Sequence, residues 1–247
     1  PVKFSCLKEK IEKALVIAER FSGRNLTLPI LGNILLETYD NFIRITATNL
    51  EHVVQINIPG KLYKDGKLSV PAKIISTLVQ SIKEDKIDLE EKQGNLMLKT
   101  ENKDIKINGV SGEDFPLIPA VKKQHILKIN SLNLRTALEK VIPAASISDF
   151  KPEFTGVFFK VTNKELKIVA TDTFRLAEYK LEIDSKNDNF SFIIPQQMMQ
   201  EIIRIISTDE DIKVSYGENQ VLFEIGDIKI TSRVIEGVFP DYDNIIP

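Results

Sequence analysis

Apolar residues recur every three or four positions in four segments of the chain, and every second position in much of what lies between. Leu7, Ile11, Ala14, Leu15 and Ala18 form one stripe, and Ile75, Leu78, Val79 and Ile82 a second. Leu134, Ala137, Leu138 and Val141 form a third, and Met198, Ile202, Ile205 and Ile206 a fourth. This spacing is one face of an α-helix, so helices are predicted to begin near Leu7, Ala72, Ser131 and Gln196. Pro71 and Pro195 stand where two of them start, and a missing N–H costs little there. Pro143 ends the third. Strict alternation at Leu96/Leu98, Ile105/Ile107, Leu166/Ile168/Ala170, Ile212/Val214/Tyr216, Val221/Phe223/Ile225 and Ile228/Ile230 predicts strands with one buried and one wet face. Asn, Asp and Gly at 39–41, 93–95, 162–164, 217–219 and 226–227 supply hairpin turns. The unit is strand, helix, then about three strands, written four times. That is an α+β fold with antiparallel sheets and helices gathered on one face.

The chain also repeats at long range. LPILGNILLETYDNFIRITATN from Leu28 parallels KPEFTGVFFKVTNKELKIVATD from Lys151. Thr48-Asn49 and Thr171-Asp172 stand 123 positions apart; Val70 and Ile194, and Phe115-Pro116 and Phe239-Pro240, stand 124 apart. Two homologous domains follow, 1–120 and 121–247, joined through IPAVKKQ.

Composition narrows the function classes. The 247 residues carry 33 Lys+Arg against 35 Asp+Glu, a net charge of −2, which excludes histone-like wrapping of nucleic acid but leaves room for a local basic face. One cysteine, Cys6, supports neither a disulfide framework nor a Cys-based zinc site. No apolar run approaches a membrane span and the N-terminus has no signal-peptide core, so a cytoplasmic location is expected. Charge is unevenly placed: windows 7–20, 72–83, 130–142 and 195–206 hold nine cations and five anions. A positive helix layer on a negative chain points to phosphate contact. The bland alternative is a solvated amphipathic face, partly neutralised by glutamates three or four residues from the lysines.

Catalytic chemistry is sparse. His52 and His125 read as surface histidines without the partners that metal binding or acid–base work requires. Cys6 alternates with Phe4 on a strand and reads as buried filler. Phosphate-binding loops, nucleophile elbows and zinc motifs are absent, and no cofactor is expected. Asp172 is the one candidate acid or base, but its counterpart in the repeat is Asn49, which suggests a turn role common to both copies. The loops after the first and third helices are more informative. Arg24 and Asn25 in FSGRNLTLP, and Ser148 and Lys151 in SISDFKPEF, are placed to reach a phosphate backbone. In the second domain Thr171, Phe174, Arg175 and Leu176, with Pro240 and Ile245 of VFPDYDNIIP, form a candidate groove for a short hydrophobic peptide. Alternatively, Leu176 is core.

Several segments resemble the bacterial DNA sliding clamps, the beta subunits of DNA polymerase III. They are TLPILGNILLE (27–37), ITATNLE (45–51), VPAK (70–73), EDFP (113–116), TGVFF (155–159), VATDTFRLA (169–177), IIP (193–195) and GVFPDY (237–242). They occur in the family's order over essentially the whole chain. The resemblance implies a ring-shaped homodimer of three-domain chains, with helices lining a central hole and sheets outside. It implies a non-catalytic processivity factor that slides on duplex DNA. Arg24, Asn25, Lys73, Ser148, Lys151, Gln196 and Gln197 would be DNA-contacting positions, the two glutamines standing where relatives often carry basic residues. Thr171, Phe174, Arg175, Leu176, Pro240 and Ile245 would receive peptide motifs of the polymerase alpha subunit and the clamp loader. Thr173 and Phe174 depart from the Gly-His or Ser-His of many relatives. A third domain is missing from the resemblance, so a truncated chain that leaves the ring open, with half a peptide site, is expected. The alternatives are a self-sufficient two-domain clamp closing as a trimer, and a small-molecule enzyme using Asp172.

Overall fold

A computed structural model describes residues 1–24, 27–39, 41–183 and 189–246. The chain divides into two compact units: Pro1–Pro119 with Asp227–Ile230, and Ala120–Gly226 with Thr231–Pro247.

In the first unit, β1 (Lys3–Leu7) leads into α1 (Lys8–Phe21). Then follow β2 (Asn33–Tyr39), β3 (Phe42–Thr48), β4 (His52–Ile58), β5 (Lys61–Lys64) and β6 (Lys67–Pro71), then α2 (Ala72–Gln80), then β7 (Lys86–Lys92), β8 (Asn95–Lys99), β9 (Asp104–Asn108) and β10 (Val110–Ser111). Antiparallel pairing builds a five-stranded sheet in the order β5-β1-β7-β8-β9 and a second run β10-β6-β2-β3-β4. The second unit repeats the plan with β11 (His125–Asn130), α3 (Ser131–Val141), β12 (Gly156–Val161), β13 (Glu165–Thr171) and β14 (Leu176–Glu182). It continues with β15 (Phe190–Pro195), α4 (Gln196–Ile205), β16 (Asp211–Gly217) and β17 (Gln220–Ile225); β18 (Ile228–Arg233) follows, its residues Ile228–Ile230 counted with the first unit and the rest with the second. Here β14-β13-β12-β15 is a four-stranded sheet, and β11, β16 and β17 pair antiparallel beside it in the same unit. Strand–helix–three strands is thus present four times, and the α+β expectation holds.

Each helix buries the stripe its spacing marks. Ile11, Ala14, Leu15, Ala18 and Phe21 of α1 are buried, and α1 packs on β3, β4 and α2. Leu134, Ala137, Leu138 and Val141 of α3 are buried, and α3 packs on β13, β14 and α4. A fully buried leucine such as Leu15 contributes about 1.5–3 kcal/mol by leaving water. Asn130 caps α3, its side-chain oxygen accepting from Asn133 N–H at 3.0 Å. Gly156 opens β12 where an added Cβ would fall 2.5 Å from Ile193 Cγ2 and 2.8 Å from Ile194 O, which accounts for the glycine of TGVFF.

Three expectations are corrected. Leu7 ends β1 rather than opening the helical stripe, and its side chain is exposed. Pro71 and Pro195 cap α2 and α4, which begin at Ala72 and Gln196 as expected. Helix α2 stops at Gln80, where Ser81 turns back and its hydroxyl donates to Leu78 O at 2.7 Å; Lys83 therefore lies outside it. Neither histidine is an ordinary surface group. His52 is half-buried on β4, and desolvation lowers its pKa. His125 belongs to β11 and stacks on Phe190 with ring centroids 4.6 Å apart. Cys6 is buried as expected, and burial pushes its thiol up to about 12, so it holds its proton at neutral pH.

Candidate functional site

Two tight turns show how the sequence builds the region around the candidate groove. Between β13 and β14 the hydroxyl of Thr171 donates to Arg175 O at 2.7 Å and accepts from Thr173 N–H at 3.1 Å. Asp172 Oδ1 accepts from the N–H groups of Phe174 (3.0 Å) and Arg175 (2.9 Å), while its Oδ2 accepts from Arg175 Nε (3.0 Å). Between β3 and β4 the same bonds recur. Thr48 donates to His52 O and accepts from Leu50 N–H, and Asn49 Oδ1 accepts from the N–H groups of Glu51 and His52. Both turns place a non-glycine residue at positive φ, Leu50 at 74° and Thr173 at 78°, a conformation that persists only where surrounding bonds over-determine it.

The role of Asp172 is thereby decided. Its pKa is lowered first by the Arg175 and Phe174 amides and then by the Arg175 guanidinium, and a carboxylate so occupied is a turn acceptor rather than a proton-transfer group. Because the folded value is depressed, its contribution to stability is full above the ordinary aspartate range near pH 4 and is lost as pH falls through the lower folded value. We expect Asp172→Asn to leave the melting temperature at pH 7 nearly unchanged, since Asn49 forms the same turn, and Asp172→Ala to lower it. Thermal melts by circular dichroism check both.

The candidate peptide residues separate into two groups. Phe174 is 96% exposed and lines a groove of about 300 Å³ with Ser146, Ser148, Phe150, Lys151, Phe154, Asp172 and Thr173. This groove therefore joins Phe174 to Ser148 and Lys151, which the sequence assigns to DNA contact. Phe150, 88% exposed, and Phe154 are the residues that sequence reasoning missed; the aromatics of SISDFKPEF were the available signal. Lys151 Nζ stands 5.7 Å from the Phe154 ring centroid. Thr171 is buried and its hydroxyl is committed to the turn, so it offers a methyl surface at most. Arg175 is exposed and paired to Asp172. Leu176 packs, partly buried, against the buried cluster of Val169, Ile193, Phe239 and Tyr242; Pro240, the residue after Phe239, is half-buried, and Ile245 is 72% exposed. Leu176 is thus partly core, as the bland alternative has it.

Of the candidate DNA residues, Arg24, Lys73, Ser148, Lys151 and Gln197 are exposed. Asn25 lies outside the described residues. Gln196 is half-buried, and its amide donates to Ser146 O at 2.7 Å, tying the 146–151 loop to α4 instead of standing free. The helices hold eight cationic and five acidic side chains, a surplus of three, one less than the sequence windows suggest because Lys83 drops out. Several cations are neutralised as expected: Lys8–Glu12, Lys13–Glu9, Arg135–Glu139 and Arg204–Glu201. Lys10 and Lys73 form no ion pair among the described residues. Among those residues, too, no group of three metal-ligating side chains occurs and no helix is long and apolar enough to cross a membrane.

Residues 2–119 match the N-terminal domain of the DNA polymerase III beta subunit, and residues 128–241 match its central domain. The chain belongs to the DNA polymerase III beta subunit family. It is 29% identical over 232 residues to the beta sliding clamp of Staphylococcus epidermidis, covering 90% of this chain and 61% of that protein. It is 28% identical over 270 residues to the beta sliding clamp of Synechocystis, covering all of this chain and 69% of that one. Among solved structures, the DNA polymerase III beta chain of Streptococcus pneumoniae matches with a TM-score of 0.93 at 26% identity, over 100% of this chain and 68% of that one. The sliding clamp of Bacillus subtilis has the same fold, with a TM-score of 0.94 at 24% identity over 100% of this chain and 68% of that one. The chain therefore spans about three-fifths of the length of the S. epidermidis clamp.

Proposed function

We propose that this chain is a non-catalytic part of a processivity clamp, contributing clamp domains 1–120 and 121–247 to a ring that encircles duplex DNA in the cytoplasm. The observation that carries the reading is the helix layer: every helix buries one stripe against its unit, and on the polar faces of α1 and α2 Lys10 and Lys73 form no ion pair among the described residues. Such a surface suits phosphates, which repeat along the duplex and carry no base information. Retention by encirclement lets each contact be weak, so the net charge of −2 is compatible. Arg24, Lys73, Ser148, Lys151 and Gln197 are the contacts we assign. The polymerase alpha subunit and the clamp loader would dock short hydrophobic peptides in the second unit, on Phe174 with Phe150 and Phe154 on one side and on Leu176, Pro240 and Ile245 on the other.

Fluorescence anisotropy on linear duplexes tests the DNA half of the proposal. The three cationic contacts, Arg24, Lys73 and Lys151, give a log–log salt slope of roughly −2.7, a loss of about 40-fold between 50 and 200 mM salt. Two duplexes of unrelated sequence should bind alike. Binding that is insensitive to salt, or that differs tenfold between sequences, would overturn it.

A further inference from the structure

The segment that follows β18 is held by side chains. Beyond Ile235, whose N–H donates to Ile193 O at 2.8 Å, no backbone-to-backbone hydrogen bond ties residues 236–246 to a strand among the described residues; the remaining one, Ile245 N–H to Tyr242 O at 2.8 Å, closes a local turn. Two fastenings replace the missing ladder. The first is aromatic. Phe239 stacks on Phe158 of β12 with centroids 4.5 Å apart and meets Phe154 and Tyr242 edge-on at 6.3 and 6.1 Å. The second is ionic. Asp243 lies between Lys160 of β12 and Lys167 of β13, its Oδ2 3.4 Å from one ammonium and its Oδ1 3.3 Å from the other.

The surroundings make the ionic clasp directional. Lys167 is mostly buried and also faces Glu178 at 3.9 Å. Tyr242 is 3% exposed, and its hydroxyl and Glu178 Oε2 are both buried without a well-formed hydrogen bond. Burial first, and then the facing Glu178 carboxylate, raise the phenol's pKa. A displaced tail would take from Lys167 the carboxylate that Asp243 brings to 3.3 Å, leaving it Glu178 and Glu165.

Resting on the peptide-docking reading above, we propose that Asp243 is a positioning residue for that site. Held by Lys160 and Lys167, its carboxylate fixes the turn Tyr242–Ile245 on the sheet, and so sets Pro240 and Ile245, which flank the fastened residues, as the wall that a hydrophobic peptide meets. The residue touches no peptide itself. Its neighbours in the chain do.

The test compares the wild type with Asp243→Asn, which keeps size and removes charge, and Asp243→Glu, which keeps charge. One readout is amide exchange at Ile245, the local turn donor. The other is anisotropy of a fluorescein-labelled short peptide of apolar residues. We expect Asp243→Asn to speed exchange at Ile245 at least tenfold and to weaken the peptide about fivefold or more, with Asp243→Glu restoring most of both. A Lys160→Met, Lys167→Met double variant should reproduce the Asn phenotype. Unchanged exchange in Asp243→Asn would overturn the clasp. Faster exchange with unchanged peptide affinity, while Leu176→Ser still loses the peptide, would overturn the positioning role and leave the docking site standing. If the wild type binds no peptide, the docking reading falls and the positioning role falls with it, whereas the exchange data still decide whether the clasp exists.

Discussion

A chain carrying Arg24→Glu, Lys73→Glu and Lys151→Glu together will bind duplex DNA at least about 10²-fold more weakly at 50 mM salt than the wild type. All three side chains are exposed, so the substitutions cost little stability, and loss of binding cannot be confused with loss of fold. Each removed contact takes about 0.9 from the salt slope, so the slope of the triple variant should fall from roughly −2.7 to near zero. The effect should be the same on duplexes of any sequence, because phosphate contacts carry no base information. Anisotropy titrations at three salt concentrations, with melts as the folding control, check slope and magnitude together. A variant that keeps the wild-type slope would show that the phosphates are met elsewhere on the molecule.

Two phenylalanines 15 positions apart should behave in opposite ways. Phe159 on β12 is fully buried and stacks on Phe192 of β15 at 5.1 Å, so Phe159→Ala leaves a cavity in the second unit. Such truncations cost about 3–5 kcal/mol, a large part of the roughly 5–15 kcal/mol by which a domain is stable. Phe174→Ala removes a ring that is 96% exposed and should change stability by less than about 0.5 kcal/mol while weakening the hydrophobic peptide. The chain has no tryptophan, so urea unfolding is followed by circular dichroism, with amide exchange on β12 and β15 assigning the loss to the second unit. Equal costs for the two substitutions would mean that the groove around Phe174 is closed in solution.

The fold was legible in the sequence to the extent that local periodicity determines it. A helix must bury one stripe and a strand one face, so Ile11, Leu15, Leu134 and Ile202 mark their own burial through spacing alone. The repeat made the turn role of Asp172 readable through Asn49. Element ends were less legible. Leu7 fits the helical spacing yet pairs with Lys86 as the last residue of β1, because ladder hydrogen bonds across 79 positions outweigh a local pattern.

The candidate site was legible only in parts. Arg24, Lys73, Ser148 and Lys151 are exposed as their loops and helix start imply, and their chemistry needs no partner. The peptide residues are different, since a groove is a relation between distant segments. Spacing does not reveal that Thr171 has committed its hydroxyl to Arg175 O, that Gln196 is bound to Ser146, or that Phe150 and Phe154 come to lie with Phe174.

By itself, then, the sequence determined the doubled strand–helix–strand plan, the buried stripes, the excess of cations on the helices and the absence of familiar catalytic motifs, because each depends on neighbours within a few positions or on a repeat that can be aligned. Tertiary structure alone decided which polar groups were already satisfied and which distant side chains meet. Asp243 shows why: one carboxylate between lysines 83 and 76 residues away is invisible to any local pattern, since what brings the charges together is the register of two strands and the packing of two aromatic rings.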